Sequence, residues 1–343
     1  MNFSQTGKTE HFCYESMNRS CPKFIIPTAI RAPLYAFFGV AIVFTICGNL
    51  LVIIAIAHFK QLHTPTNYLV LSLAMADLLL GAIFMPPSMV RSLESCWYFG
   101  DLFCKFHTSA GVMLCTVSIL NLSFISIDRY YAVCQPLHYH SKITNGVSVI
   151  MVLVSWIVSA FVGFGMVFLN LNILGVEDFY YKNVACIGRC LLFQSVASSS
   201  ISSVLSFYIP GFIMVGIYQK IFRVAQEQAR SINSIACQNV NSEKNKKSLS
   251  NLERKATKTL AVVMGVFLSC WTPFFSCNVI HPIVNYSIPP VLFDTLAWIG
   301  LLNSTFNPIV YAFFYSWYRK AFRMIIFGKI FHTDSSRSKL CTD

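Results

Sequence analysis

The chain has 343 residues, of which 55% are hydrophobic and 12% charged, and it carries a formal net charge of +12. Soluble domains hold about 25% charged residues, so this composition excludes an ordinary soluble globular protein. The basic excess is spread over alternate loops and not gathered into one patch, which argues against nucleic acid as a partner; no metal-ligand spacing and no catalytic constellation accompany the 13 cysteines and 8 histidines, which argues against an enzyme.

Residues 1–32 read as a polar extracellular tail without the apolar core of a signal peptide, so the first span is expected to direct insertion. The tail carries two glycosylation sequons, at Asn2 and Asn18. A third, at Asn285, falls in the last outer loop, whereas those at Asn121 and Asn303 fall inside apolar stretches and are discounted. An α-helix needs about 20 apolar residues to cross a bilayer. Seven stretches qualify, at roughly 33–57, 67–92, 102–134, 146–168, 196–222, 256–281 and 289–315, and they predict an all-α membrane protein, a seven-helix bundle over 33–315. No internal repeat of the transporter kind is seen. With the N-terminus outside, all but eight of the 26 Lys and Arg fall on the inner side, the positive-inside pattern; this basic surface suits anionic lipid headgroups.

Residues 227–252, rich in Ser, Asn, Lys and Gln, predict a flexible third inner loop. Residues 316–331 alternate apolar positions with Arg319, Lys320, Arg323 and Lys329, the pattern of a short amphipathic helix on the membrane surface, before a polar cytoplasmic tail at 332–343. Gly328 is placed to loosen its end.

Polar groups within spans are costly and usually functional. Asp77 is the one acid in the middle of an apolar span, and Asn49, Asn303 and Asn307 are amides of the kind that could join it in a site for a sodium ion or water. The plainer reading, polar glue between helices, remains open beside it. Asp128-Arg129-Tyr130 closes the third span on the inner side, where Asp128 can hold the permanently charged Arg129. Cys13, Cys21, Cys96, Cys104, Cys186 and Cys190 lie on the oxidising side, where disulfides are allowed.

The motifs then accumulate in order: Gly48-Asn49, Leu73-Ala74-Met75-Ala76-Asp77, Asp128-Arg129-Tyr130, Trp156, Pro210 with Tyr218, Cys270-Trp271-Thr272-Pro273, and Asn307-Pro308-Ile309-Val310-Tyr311. Together they resemble the rhodopsin-like class of G-protein-coupled receptors over the full length of the chain. The runs His58 to Asn67, Ser95 to Gly100, and above all Asn303-Ser304-Thr305-Phe306-Asn307-Pro308 through Tyr315-Ser316-Trp317 resemble the trace amine-associated receptors, with Tyr318 where Phe is usual. The second outer loop and the tail look nearest to subtype one.

The resemblance implies roles. A small-molecule ligand, a heterotrimeric G protein of the stimulatory type, arrestin and membrane lipids are the implied partners, at the plasma membrane. Arg129 is expected to pair with Asp128 and Glu253 at rest; release lets the sixth span swing out, with Tyr218 and Tyr311 filling the gap. Pro273 supplies a bend beside Trp271, the switch beneath the pocket. Cys104 is expected to join Cys190, and Cys186 to join an N-terminal cysteine, Cys21 ahead of Cys13, leaving Cys13 and Cys96 unassigned.

The pocket departs from the family. Counting 18 residues back from Arg129, about 27 Å of helix, leads to Gly111, where the family holds an aspartate that anchors the amine. Val112, Cys115 and Thr116 cannot replace that charge, and Leu301 stands where a tyrosine is usual. Ser202 and Ser206, four apart, are expected to share a face, with Ser203 adjacent; whether they bind ligand or bond back to helix carbonyls is open at this point. Phe274, Phe275, Asn278 and Trp298 are expected to complete an aromatic pocket for a small aromatic or volatile ligand. Asp294, Glu177 and Asp178 are the acids left to attract a cation at the rim. The rival expectation is a receptor that signals constitutively and no longer binds amines.

Overall fold

The structure, a computed structural model, describes residues 11–236, 244–314, 316–331, 336 and 340; of residues 228–260, 314, 316 and 331 only the backbone is described. Seven long helices follow one another: α1 Thr28–His58, α2 Pro65–Glu94, α3 Asp101–Cys134, α4 Asn145–Phe168, α5 from Val196–Ser203 through a wide turn Val204–Tyr208 into Ile209–Ala236, α6 Lys244–Ile283, and α7 as Pro290–Leu301 and Asn303–Phe314. Six of them are long and apolar enough to cross a membrane as single pieces. The seventh is divided at Leu302 into halves of 12 residues each. The expected seven-helix bundle is the architecture found, and α1, α2, α5 and α6 extend beyond the apolar runs that announced them, whereas α7 falls within its own.

Local chemistry sets many of the ends. Thr64 caps α2 by accepting the Asn67 N–H at 3.3 Å, with Pro65 as the first helical residue. Thr144 does the same for α4 through Val147, and Ser195 for α5 through Ser198. Prolines explain the irregularities. A proline has no N–H and its ring clashes with the carbonyl four residues back. For Pro86 and Pro87 those carbonyls belong to residues 82 and 83, and for Pro210 to residue 206; both fall inside π-type turns, Leu80–Phe84 in α2 and Val204–Tyr208 in α5. Pro308 leaves the Ser304 carbonyl without a helical donor, and Asn49 of α1 supplies one, Nδ2 donating at 3.1 Å. Gly48 makes that approach feasible, since a Cβ there would lie 2.8 Å from the Pro308 ring.

The centre of the bundle is knotted by Ser72 of α2, whose hydroxyl accepts from Asn121 of α3 and from the Trp156 indole of α4, each at 2.9 Å. Gly163 lets α4 touch the backbone of α3, where a Cβ would sit 2.5 Å from the Ser109 carbonyl oxygen. Both helical flanks run into the loop expected to be flexible, and residues 237–243 lie outside the described residues.

The amphipathic segment is helix α8, Ser316–Ile326. It buries Trp317, Tyr318 and Ala321, while Arg319 turns back to donate to the Ala312 and Phe313 carbonyls at the end of α7. It stops earlier than the 316–331 expected, because Gly328 takes φ +67° and breaks the α pattern. On the outer side the chain before α1 pairs with the second outer loop: Cys21 N–H donates to the Ile187 carbonyl at 2.9 Å, and Ile187 N–H to Arg19 at 3.0 Å.

Candidate functional site

The outer ends of α2, α3, α5, α6 and α7 converge under a lid formed by the second outer loop and the N-terminal segment. Three disulfides hold that lid: Cys104–Cys190, Cys21–Cys186 and Cys13–Cys96. Of the two N-terminal candidates for Cys186, the structure uses Cys21; Cys13 and Cys96, left unassigned from sequence, join each other. Tyr286 stacks on Phe193 of the lid with ring centroids 4.3 Å apart and donates to the Gln194 carbonyl at 3.0 Å.

Beneath the lid, Gly111 is buried on α3. The space where its side chain would stand is filled: a Cβ at Gly111 would lie 2.3 Å from the Phe84 ring of α2. Phe84 stacks face to face on His107, centroids 4.4 Å apart at 11°. His107 Nε2 lies 3.0 Å from the Phe84 carbonyl, which can only accept, so that nitrogen carries the proton. Val112 and Cys115 are half-buried nearby on α3, and the Thr116 hydroxyl is spent on the Val112 carbonyl at 2.8 Å.

On the α5–α6 side, Trp271 lies 5.7 Å from Phe274 and 5.9 Å from Phe275, and Phe275 stacks on Phe207 at 4.4 Å. Trp271 packs flat against α7 at Gly300, where a Cβ would approach the indole to 2.6 Å. Leu301 is buried beside that contact. Asn278 donates to Ser203 at 3.1 Å, so the one amide of the expected pocket is already partnered. Ser202 donates to the Ser199 carbonyl at 3.2 Å and accepts from Gln194 at 3.1 Å. The shared face expected for Ser202 and Ser206 rested on uninterrupted α-helix; the wide turn Val204–Tyr208 begins between them and takes in Ser206. Trp298 packs with its ring 4.1 Å from Phe38 of α1 and its N–H donating to Ser92 of α2 at 3.1 Å.

The rim acids are largely committed. Asp294 is paired with Arg91 at 3.3 Å, and Arg91 also donates to the Cys190 carbonyl of the lid. Glu94 is paired with Arg31 at 3.4 Å and Lys23 at 3.7 Å. Glu177 and Asp178 are exposed on the lid.

Midway down, the carboxylate of Asp77 is fully buried and accepts from the Ser304 hydroxyl and from Asn307, both at 2.7 Å. Of the four residues grouped from sequence, Asn307 donates directly to Asp77. Asn49 meets Asp77 only through Ser304, whose carbonyl it holds. Ser304 and Asn307 donate to Asp77 directly, while the buried Asn303 side-chain oxygen has no hydrogen-bond partner among the described residues. Proline 308 explains why Ser304 is the hub: it frees that residue's carbonyl for α1 while the hydroxyl serves α2.

At the inner mouth Asp128 is fully buried and its carboxylate collects donors. Arg129 reaches it through Nε at 2.8 Å and Nη2 at 2.6 Å, Thr66 through its hydroxyl at 2.8 Å, and Tyr139 at 3.0 Å. Arg129 also donates to Thr66. Burial and the neighbouring Asp128 charge push the Tyr139 hydroxyl above its ordinary pKa, so it remains a donor at neutral pH. Glu253, the expected second partner of Arg129, lies outside the described side chains. Tyr130 accepts from Lys220 of α5 at 3.0 Å, and Tyr311 is buried with its ring 6.5 Å from Tyr318 of α8.

Sequence reading missed Phe84, Ser304, Thr66 and Tyr139. Phe84 lies seven residues, two turns, beyond Asp77 and just before Pro86-Pro87, which signal an irregular turn; no such signal marks Tyr139.

The chain matches the family described as 7 transmembrane receptor (rhodopsin family) over residues 48–311. It is 56% identical over 330 residues to trace amine-associated receptor 1 of Macaca mulatta, which covers 96% of this chain and 98% of that one. It is 54% identical to trace amine-associated receptor 1 of Homo sapiens, covering 96% and 97%, and 50% identical to trace amine-associated receptor 4 of Mus musculus, covering 96% and 95%.

Proposed function

The chain belongs to the trace amine-associated receptors of the rhodopsin family, near subtype 1, and from that premise we propose that it detects a small, uncharged or weakly polar aromatic ligand and activates a stimulatory heterotrimeric G protein, raising cyclic AMP. It is a G-protein-coupled receptor, a multi-pass plasma-membrane protein and not an enzyme. The N-terminus faces outside, where Asn18 is exposed for glycosylation; Asn2 lies outside the described residues. Arrestin is a further partner at the inner face.

The observation that carries the coupling role is the inner cluster. Arg129 is folded onto Asp128 and Thr66, an arrangement that keeps the guanidinium from reaching out of the bundle. Loss of that hold frees it for a G-protein segment. Asp77, with Ser304 and Asn307 donating to it and the Asn303 oxygen nearby in sequence, is suited to a sodium ion or water that couples α2 to α7. The ligand class follows from charge. The buried carboxylates among the described residues are Asp77 and Asp128, both engaged well below the lid. An ammonium brought into the aromatic pocket meets no buried counter-ion, and taking it from water costs several kcal/mol even after relaxation, about twice or more what a cation–π contact returns.

Asp128→Asn is expected to raise basal cyclic AMP several-fold per receptor at the surface, and Arg129→Ala added to it is expected to abolish the gain while surface delivery persists. Basal cyclic AMP at the level of cells without receptor, in both variants and with normal surface delivery, would refute coupling through this cluster.

A further inference from the structure

We propose that Phe84 determines which ligands this receptor admits, by filling the volume beside Gly111 with an aromatic ring and so removing any place for a charged anchor between α2 and α3. The inference deepens the receptor reading above and rests on it for the identity of the pocket.

Three observations carry it. The first is steric. A Cβ at residue 111 would meet Cε2, Cζ and Cδ2 of Phe84 at 2.3, 2.7 and 3.0 Å, whereas ordinary contact begins at 3.4 Å. Any side chain at residue 111 therefore competes with this ring for the same space. The second is that the ring is pinned. It stacks on His107, which lies one turn before Gly111 on α3, and the same imidazole donates to the Phe84 carbonyl. Moving the ring aside gives up the stack and disturbs a hydrogen bond that spans the two helices. The third is the backbone. Phe84 ends the π-type turn Leu80–Phe84, and the wider turn changes the direction in which every later residue of α2 points. Phe84 and Gly111 are thus two halves of one packing solution: the ring, as placed, fits only where residue 111 has no side chain.

The functional consequence is selection by exclusion. The wall that Phe84 builds is apolar, and His107 presents its proton to α2, not to a ligand. Of the acids of the outer half, Asp294 is paired with Arg91 and Glu94 with Arg31 and Lys23. A ligand seated here gains from aromatic contact and not from ion pairing, so an uncharged aromatic molecule is favoured over its protonated amine counterpart.

The test is a set of variants of the full-length receptor, purified in detergent: Gly111→Ala, Gly111→Asp, Phe84→Val, and each Gly111 substitution combined with Phe84→Val. Melting temperature is read without ligand, and binding of radiolabelled 2-phenylethylamine is read without G protein. Gly111→Ala is expected to lower the melting temperature by several degrees in the native background and hardly at all with Phe84→Val. Phenylethylamine is expected to bind Gly111→Asp with Phe84→Val roughly ten- to a hundredfold more tightly than the unmodified receptor or Gly111→Asp alone, the scale of one charge-assisted hydrogen bond. Equal destabilisation by Gly111→Ala in both backgrounds, or equal phenylethylamine binding by Gly111→Asp with and without Phe84→Val, would overturn the proposal. Should Gly111→Asp alone fail to fold, the Gly111→Ala comparison still decides the packing, and the combined variant against the unmodified receptor decides the selectivity. Binding is independent of signalling, so a failure of G-protein coupling would count against the receptor reading and leave this result standing.

Discussion

Gly300→Ala is expected to raise ligand-independent signalling, and the size of the effect can be worked from the packing of Trp271. A Cβ at residue 300 would stand 2.6–2.8 Å from three atoms of the indole. Ordinary contact begins at 3.4 Å, so the indole must withdraw by about 0.8 Å at the closest atom. It has little room to do so at rest, because Phe274 and Phe275 lie 5.7 and 5.9 Å away on α6. Overpacking of this kind costs about 1–3 kcal/mol. If a state in which Trp271 has moved off α7 escapes that cost, the ratio of the two states shifts by roughly 5- to 150-fold. Basal cyclic AMP per surface receptor should rise accordingly, toward the level of a saturating agonist at the upper end. The melting temperature should fall with Trp271 present and not in a Trp271→Leu background, which separates the specific clash from a general fault in α7. Basal signalling and melting temperature both equal to the unmodified receptor would refute the reasoning, since the added methyl group would then have been absorbed without moving the indole.

Tyr139→Phe removes one of the donors to the buried Asp128 carboxylate while leaving Arg129 and Thr66 in place; basal cyclic AMP should rise, but less than for Asp128→Asn, and an unchanged basal level would show that the short helix Pro136–Lys142, which carries Tyr139, adds nothing to the resting hold. Peptide mapping under non-reducing conditions should recover Cys13 linked to Cys96, and Cys13→Ser should lower surface delivery less than Cys104→Ser, because the latter unties α3 from the lid that Arg91 and Tyr286 also brace. Recovery of Cys13 as a free thiol would remove the third bridge.

The linear chain determined the class of this protein because its strongest signals are local or composite. An apolar run long enough to cross a bilayer must become a helix, since lipid offers no partner for exposed backbone, and all seven spans were legible on that ground, six of them as unbroken helices. The seventh is interrupted at Leu302, a break that its apolar run 289–315 does not announce. Charge asymmetry gave the spans an expected orientation, and Asp128 beside Arg129 needed no tertiary information to be read as a pair. The contents of the pocket were a different matter. A proline-induced change of turn rephases every residue after it, so the shared face of Ser202 and Ser206 and the direction of Phe84 could not be counted along an ideal helix. Asp294 was read as a free rim acid because its partner Arg91 is 203 residues away. Cys13 and Cys96 carry no spacing rule; their Cα atoms come within 5.7 Å only because the N-terminal segment folds across the outer loops. Gly111 itself was conspicuous as a missing charge, but a glycine records only an absence. What occupies the vacated space is settled by packing density, which leaves no void of that size unfilled, and it was the approach of α2 to α3 that put the Phe84 ring there.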